Sequence, residues 1–152
     1  MDELFIFGGF VLTVATASRI GGDMKPVKQK YIHIPDQQHG DCWRAAISSI
    51  LECDIDTFPY HNGDISWPEE WQEVMNILNE MGYAYSSLSM GFIAEGMLDC
   101  PDTNGYCIAI GKSNRGVNHA IVWKNGMAHD PHPDNTGIME IERFEILYKT
   151  NQ

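Results

Sequence analysis

The sequence predicts an α+β domain in which an N-terminal helix and a second helix pack on a small antiparallel sheet. Three observations predict it: an apolar pattern of helical period opening at Cys42, a second one behind a start signal at Ser66, and strand-length runs broken by Gly and Asn from Tyr83 onward.

Asp41 is a suitable N-cap for the first helix, and Trp43, Ala46, Ile47, Ile50 and Leu51 then recur on one helical face. For the second, Ser66 and Glu69 form a capping box and Pro68 stands in the first turn. Trp71, Val74, Met75, Leu78 and Met81 share its apolar face, and Gly82 ends it. Strands are expected over Tyr83–Leu88, Tyr106–Ile110, His119–Lys124, Met127–Asp130 and Phe144–Tyr148, arranged as a meander. Gly111 to Gly116 reads as a loop, and Asn125-Gly126 as a two-residue type I′ hairpin turn.

A chain of 152 residues, 43% hydrophobic and 20% charged, suits one globular domain, placed at 24–152. Residues 1–23 stand apart, because Leu4 to Ala17 is a nearly unbroken apolar run. Three readings stand for it: a buried strand or helix, a poor export signal behind the acidic Met1-Asp2-Glu3, or upstream sequence preceding an internal start at Met24. The run is too short to span a bilayer, so no stable membrane insertion is expected.

Ten basic against 21 acidic residues give a net charge of -11, which repels a phosphate backbone and excludes nucleic acid as an expected partner. Lys25, Lys28 and Lys30 form the one basic cluster and read as a solvated segment. Cys42, Cys53, Cys100 and Cys107 contain no C-x-x-C pair, which excludes a zinc ribbon or thioredoxin motif. A reducing, cytoplasmic setting is expected, with no metal and no cofactor.

The chemistry centres on Cys42. A thiol at a helix N-terminus is exposed to unsatisfied N–H groups that favour the thiolate, so a lowered pKa is expected. A nucleophilic cysteine needs a base and a group to orient it. If Asn125 and Gly126 are the two loop residues, Val122 pairs with His129 and Ile121 with Asp130. His119 shares a face with Ile121, and therefore with Asp130, at a diagonal spacing of about 7–8 Å that a carboxylate and an imidazole can close. His129 falls on the opposite face and reads as structural. His132 follows Pro131, which ends the pairing, and lines the site. Trp43 and Asn118, beside the catalytic residues in sequence, are expected with His132 to contact substrate.

An oxyanion requires donors: the Cys42 backbone N–H is one, and Gln38 is preferred over Gln37 and Gln29 for the other. Two rivals stand beside this reading. One is a metal site of His119, His129, His132 and Asp130, which strand alternation disfavours by separating His129. The other is a non-catalytic module that engages a partner through its acidic surface.

Gln37-Gln38-His39-Gly40-Asp41-Cys42-Trp43, with Asn118-His119-Ala120-Ile121-Val122 and His129-Asp130-Pro131, resembles the papain-like cysteine peptidase superfamily, especially its bacteriocin-processing (double-glycine) branch. The resemblance implies a papain-like fold, a Cys42–His119–Asp130 triad, and a peptide or protein substrate hydrolysed through an acyl-enzyme. The chain also resembles small phage and bacterial proteins, through Gly40-Asp41-Cys42, Ser113-Asn114-Arg115-Gly116-Val117-Asn118-His119 and His129 to Pro133. That likeness bears on fold and site rather than substrate. Family peptidases place their oxyanion glutamine about six residues before the cysteine, where this chain has Asp36.

Overall fold

The computed structural model describes residues 4–7, 10–13, 18–19, 22–62, 67–94 and 105–150. Leu4–Phe7 (β1) and Phe10–Thr13 (β2) form an antiparallel pair, and Ser18–Arg19 (β3) pairs with the last strand of the main sheet.

The first helix, α1, runs Cys42–Leu51, as its periodicity predicts. It is enclosed almost all round: Ala45, Ala46, Ile47, Ser48, Ser49 and Ile50 are buried. Arg44 is buried as well, with its guanidinium on Asp41, Asp56 and the carbonyls of Ile55 and Phe58. A buried charge must be paired in this way or it destabilises the fold by several kcal/mol. The apolar spacing carried no sign of it.

The second helix, α2, covers Trp67–Glu80 and turns Val74 and Leu78 into the core. Met81, expected on that face, is 37% exposed, because the chain has already left the helix. Gly82 ends it at φ +85°, with its N–H on Asn79 O. The capping serine, Ser66, lies outside the described residues.

Tyr83–Ser89 (β4), a short helix Met90–Ala94 (α3), Cys107–Lys112 (β5), Asn118–Trp123 (β6), Met127–His129 (β7) and Glu140–Lys149 (β8) complete the chain. α3 falls where the sequence reading had only a connection. The antiparallel order is β4-β8-β5-β6-β7, with β3 continuing the β5 edge of β8. The expected meander is therefore corrected: the final strand inserts between β4 and β5. A strand of ten residues whose Phe144–Leu147 segment is buried needs neighbours on both edges, and sequence order does not dictate which.

α1 and α2 pack on one face of the sheet around Ile47, Ile50, Phe58, Leu78, Ile108, Val122 and Leu147. The other face carries a second cluster of Ala109, Ile121, Phe144 and Ile146, against which Leu88 and Trp123 pack. Each such fully buried aliphatic or aromatic side chain contributes about 1.5–3 kcal/mol relative to exposure. Among the described residues no helix is long and apolar enough to cross a membrane.

The β6–β7 hairpin departs from expectation by one residue. Val122 pairs with His129 as expected, but Trp123 pairs with Met127, so a bulge lies between them and the connection is Lys124-Asn125-Gly126. Asn125 and Gly126 still adopt positive φ, at 55° and 142°.

Candidate active site

Three segments remote in sequence meet at one end of the sheet: the start of α1, the start of β6 and the loop after β7. His119 faces Gly111 across the β5–β6 ladder and is 3% exposed. Its Nε2 lies 2.6 Å from Asp130 Oδ1. Asp130 is fully buried, and its Oδ1 also accepts the His132 N–H at 2.8 Å while Oδ2 accepts the Gly137 N–H at 2.7 Å. Burial pushes this carboxyl up, but the bonds from His119, His132 and Gly137 outweigh it and hold Asp130 below its ordinary value, hence ionised.

An ionised carboxylate can only accept, so the His119 hydrogen sits on Nε2 and Nδ1 keeps its lone pair. Burial is also the largest influence on His119 and lowers it; Asp130 opposes this without prevailing, and Arg115 and His132 add to the lowering. The imidazole is neutral at pH 7.

Cys42 and His119 line one cavity of about 370 Å³, which Gln29, Arg115, Asn118 and His132 also line. The thiol does not have the lowered pKa that its helix position predicts. Burial is the largest influence and pushes it up, the Asp41 charge adds to this, and the N–H groups of Ala120, Trp43 and Cys42 pull it down without winning. Desolvation defeats the helix terminus here, so thiol and imidazole are both neutral at rest. The Ala120 N–H that lowers the thiol belongs to the residue after His119.

Asp41 occupies the N-cap position of α1 but its side chain makes no cap hydrogen bond. Its Oδ1 accepts the Tyr31 N–H and its Oδ2 accepts Arg44 Nη1, both at 2.9 Å. Diverting the carboxylate leaves the first-turn N–H groups of α1 to the sulfur.

The glutamines divide clearly. Gln38 donates to Ile32 O at 2.8 Å and lines a separate hollow of about 210 Å³. Gln29 lines the cavity of Cys42, and its Nε2 donates one hydrogen to Tyr31 O at 2.7 Å. It lies against Gly40, where a Cβ would come within 3.5 Å of that nitrogen and 3.2 Å of His33 N. The placement comes from a strap along α1 and the Asp130 loop. Lys25 N–H donates to Ser49 O, Val27 N–H to Ser49 Oγ, and Gln29 N–H to Pro131 O. Lys28, read from the sequence as solvated, donates its ammonium to Asp130 O at 2.7 Å and His132 O at 3.2 Å.

Trp43 is not in the cavity. One helical step from Cys42 turns it into the core, where it packs edge-on to Phe58 and Trp71 and its indole N–H donates to Glu145. Asn118 does line the cavity, with its amide donating to Glu142 Oε2 at 3.2 Å. His129 is directed at Val27 O, 2.8 Å away, away from the other histidines. Among the described residues no group of three or more His, Cys, Asp or Glu side chains is placed to hold a metal ion.

Comparison with protein-family models, curated proteins and solved structures finds no match to this chain.

Proposed function

We propose that the chain is a papain-like cysteine hydrolase acting on a peptide, isopeptide or side-chain amide in the cytoplasm. The observation that carries this reading is the buried His119–Asp130 pair, which leaves the His119 Nδ1 lone pair as the base in a cavity shared with Cys42. Cys42 loses its proton to Nδ1 as the sulfur attacks the carbonyl carbon. The oxyanion is held by the Cys42 N–H and the Gln29 amide. His119 returns the proton to the departing nitrogen, and water, deprotonated by the same imidazole, releases the acid from the acyl-enzyme. Gln29 takes the role first given to Gln38, because it shares the cavity.

Trapping with a peptidyl chloromethyl ketone, followed by mass spectrometry, tests this reading. A single adduct on Cys42, lost in Cys42→Ala and slowed at least about tenfold in His119→Ala, is expected. A second reading, a non-catalytic binding module, is favoured by the burial that raises the thiol. Its signature is a folded protein whose Cys42 takes no adduct.

A further inference from the structure

The chain carries 21 acidic residues and a net charge of -11, yet among the described residues no Asp or Glu lines the cavity of Cys42 and His119. Its walls hold four of the six histidines, His33, His39, His119 and His132, and one side chain of permanent charge, Arg115. An acidic protein thus surrounds its reacting groups with a hollow that has no negative side chain to repel an anion.

Arg115 is held at both ends. Its backbone N–H donates to Ser113 Oγ at 3.3 Å, and the buried Ser113 hydroxyl itself donates to Val117 O at 2.7 Å. At the far end Nη1 donates to Asp134 Oδ2 at 2.6 Å and to Thr136 Oγ1 at 3.2 Å, which uses both of its hydrogens. Asp134 stands outside the cavity lining, and its Oδ1 accepts the Thr136 N–H at 3.1 Å. Burial pushes that carboxyl up, but the Thr136 N–H and Arg115 hold it well below its ordinary value, so it stays an anion that anchors the guanidinium.

A guanidinium carries five donors in one plane, so Nε–H and the two Nη2 hydrogens remain. Nε–H and one Nη2–H lie parallel along a single edge, at the spacing of two carboxylate oxygens. No described residue is bonded to that edge. The ordering that a loose arginine undergoes when it binds has already been imposed here by Ser113, Asp134 and Thr136. The charge is also felt at the catalytic base: it adds to the lowering of His119 that burial begins.

We infer that the free edge of Arg115 receives a carboxylate of the substrate, so that the enzyme selects an acidic substrate over its uncharged counterpart. This rests on the hydrolase reading and narrows it. One guanidinium edge matches the two oxygens and single charge of a carboxylate, whereas a phosphate dianion would leave charge unbalanced in a cavity with no second permanent cation. The carboxylate can belong to the acyl part or to the departing part, and the test separates the two.

The test uses p-nitrophenyl esters in matched pairs, one member with a carboxylate and the other with a carboxamide in its place. In one series the pair stands on the acyl chain, in the other on the phenol ring. Dividing each kcat/KM by the rate of the same ester with a small thiol removes intrinsic reactivity. The carboxylate member is expected to exceed its carboxamide by roughly tenfold to a hundredfold in one series, the worth of a charge-assisted hydrogen bond, and that series names the part of the substrate bound. Arg115→Gln should bring the ratio to about one, and Arg115→Lys, which keeps a cation for Asp134 but lacks the fork, should retain only a minor part of it. A flat or reversed ratio in both series of the wild-type protein, with the esters turned over, overturns the carboxylate site and leaves the hydrolase standing. A preference that survives Arg115→Gln overturns the assignment to Arg115. No turnover of any ester and no Cys42 adduct overturns the hydrolase and the acidic substrate with it.

Discussion

Asp130 Oδ1 receives the His119 Nε2–H at 2.6 Å while Asp130 Oδ2 receives the Gly137 N–H at 2.7 Å, so one buried carboxylate orients the imidazole and pins the returning loop. These two duties can be separated. Asp130→Asn can keep a carbonyl oxygen toward His119, but it then turns an NH2 toward the Gly137 N–H, donor against donor. Urea unfolding should show a loss of about 1–3 kcal/mol, the cost of an unsatisfied buried group. Asp130→Ala should lose at least as much stability and also slow acylation by a hundredfold or more, to about the scale seen when a triad orienting group is removed.

The glutamine assignment gives a paired prediction. Gln29→Ala should lower kcat on a chromogenic substrate by about 10²–10³, the usual loss of one oxyanion donor. Gln38→Ala, whose amide is spent on Ile32 O and whose side chain does not line the Cys42 cavity, should change it less than about twofold. The reverse pattern would return the role to Gln38.

The protonation states set the pH dependence. His119 is shifted below 6.5 and must be neutral to act as base, so kcat/KM should rise with pH through a value below 6.5. Cys42 is shifted above 9.0, and beyond that point the proton owed to the leaving group is gone, so activity should fall on an alkaline limb above 9.0. Iodoacetamide labelling of Cys42, which needs the thiolate, should instead rise over the range where activity falls, above 9.0. Half-maximal labelling well below pH 8 would show the thiolate that the helix position alone predicts.

Gly111 faces His119 across the ladder, and the register with β8 shifts beside it. A Cβ there would stand 1.7 Å from Glu140 O. Because the obstacle is backbone, it cannot swing aside as a side chain could. Gly111→Ala should cost about 3 kcal/mol or more and lower the Tm accordingly, whereas Gly116→Ala, with nothing within 4 Å but φ at +78°, should cost about 1–2 kcal/mol from backbone strain alone.

Periodicity and alternation determined by themselves the helix that begins at Cys42, the strand that carries His119, and the shared face that brings Asp130 to it. These are local properties: about 100° per helical residue and a two-residue strand repeat set where a side chain points before any partner is chosen. The bulge at Trp123 did not disturb them, because Val122 still meets His129. Tertiary structure alone decided the rest. The last strand became β8, inside the sheet, because burial selects neighbours without regard to chain order. Gln29 lines the Cys42 cavity and Gln38 does not, because a strap fastened by Lys28 and Ser49 carries Gln29 there, and nothing near Gln29 in the chain encodes contacts made so far along it. The Cys42 thiol rose because desolvation depends on everything packed around a group, and that sum outweighed the helix terminus the sequence could foresee.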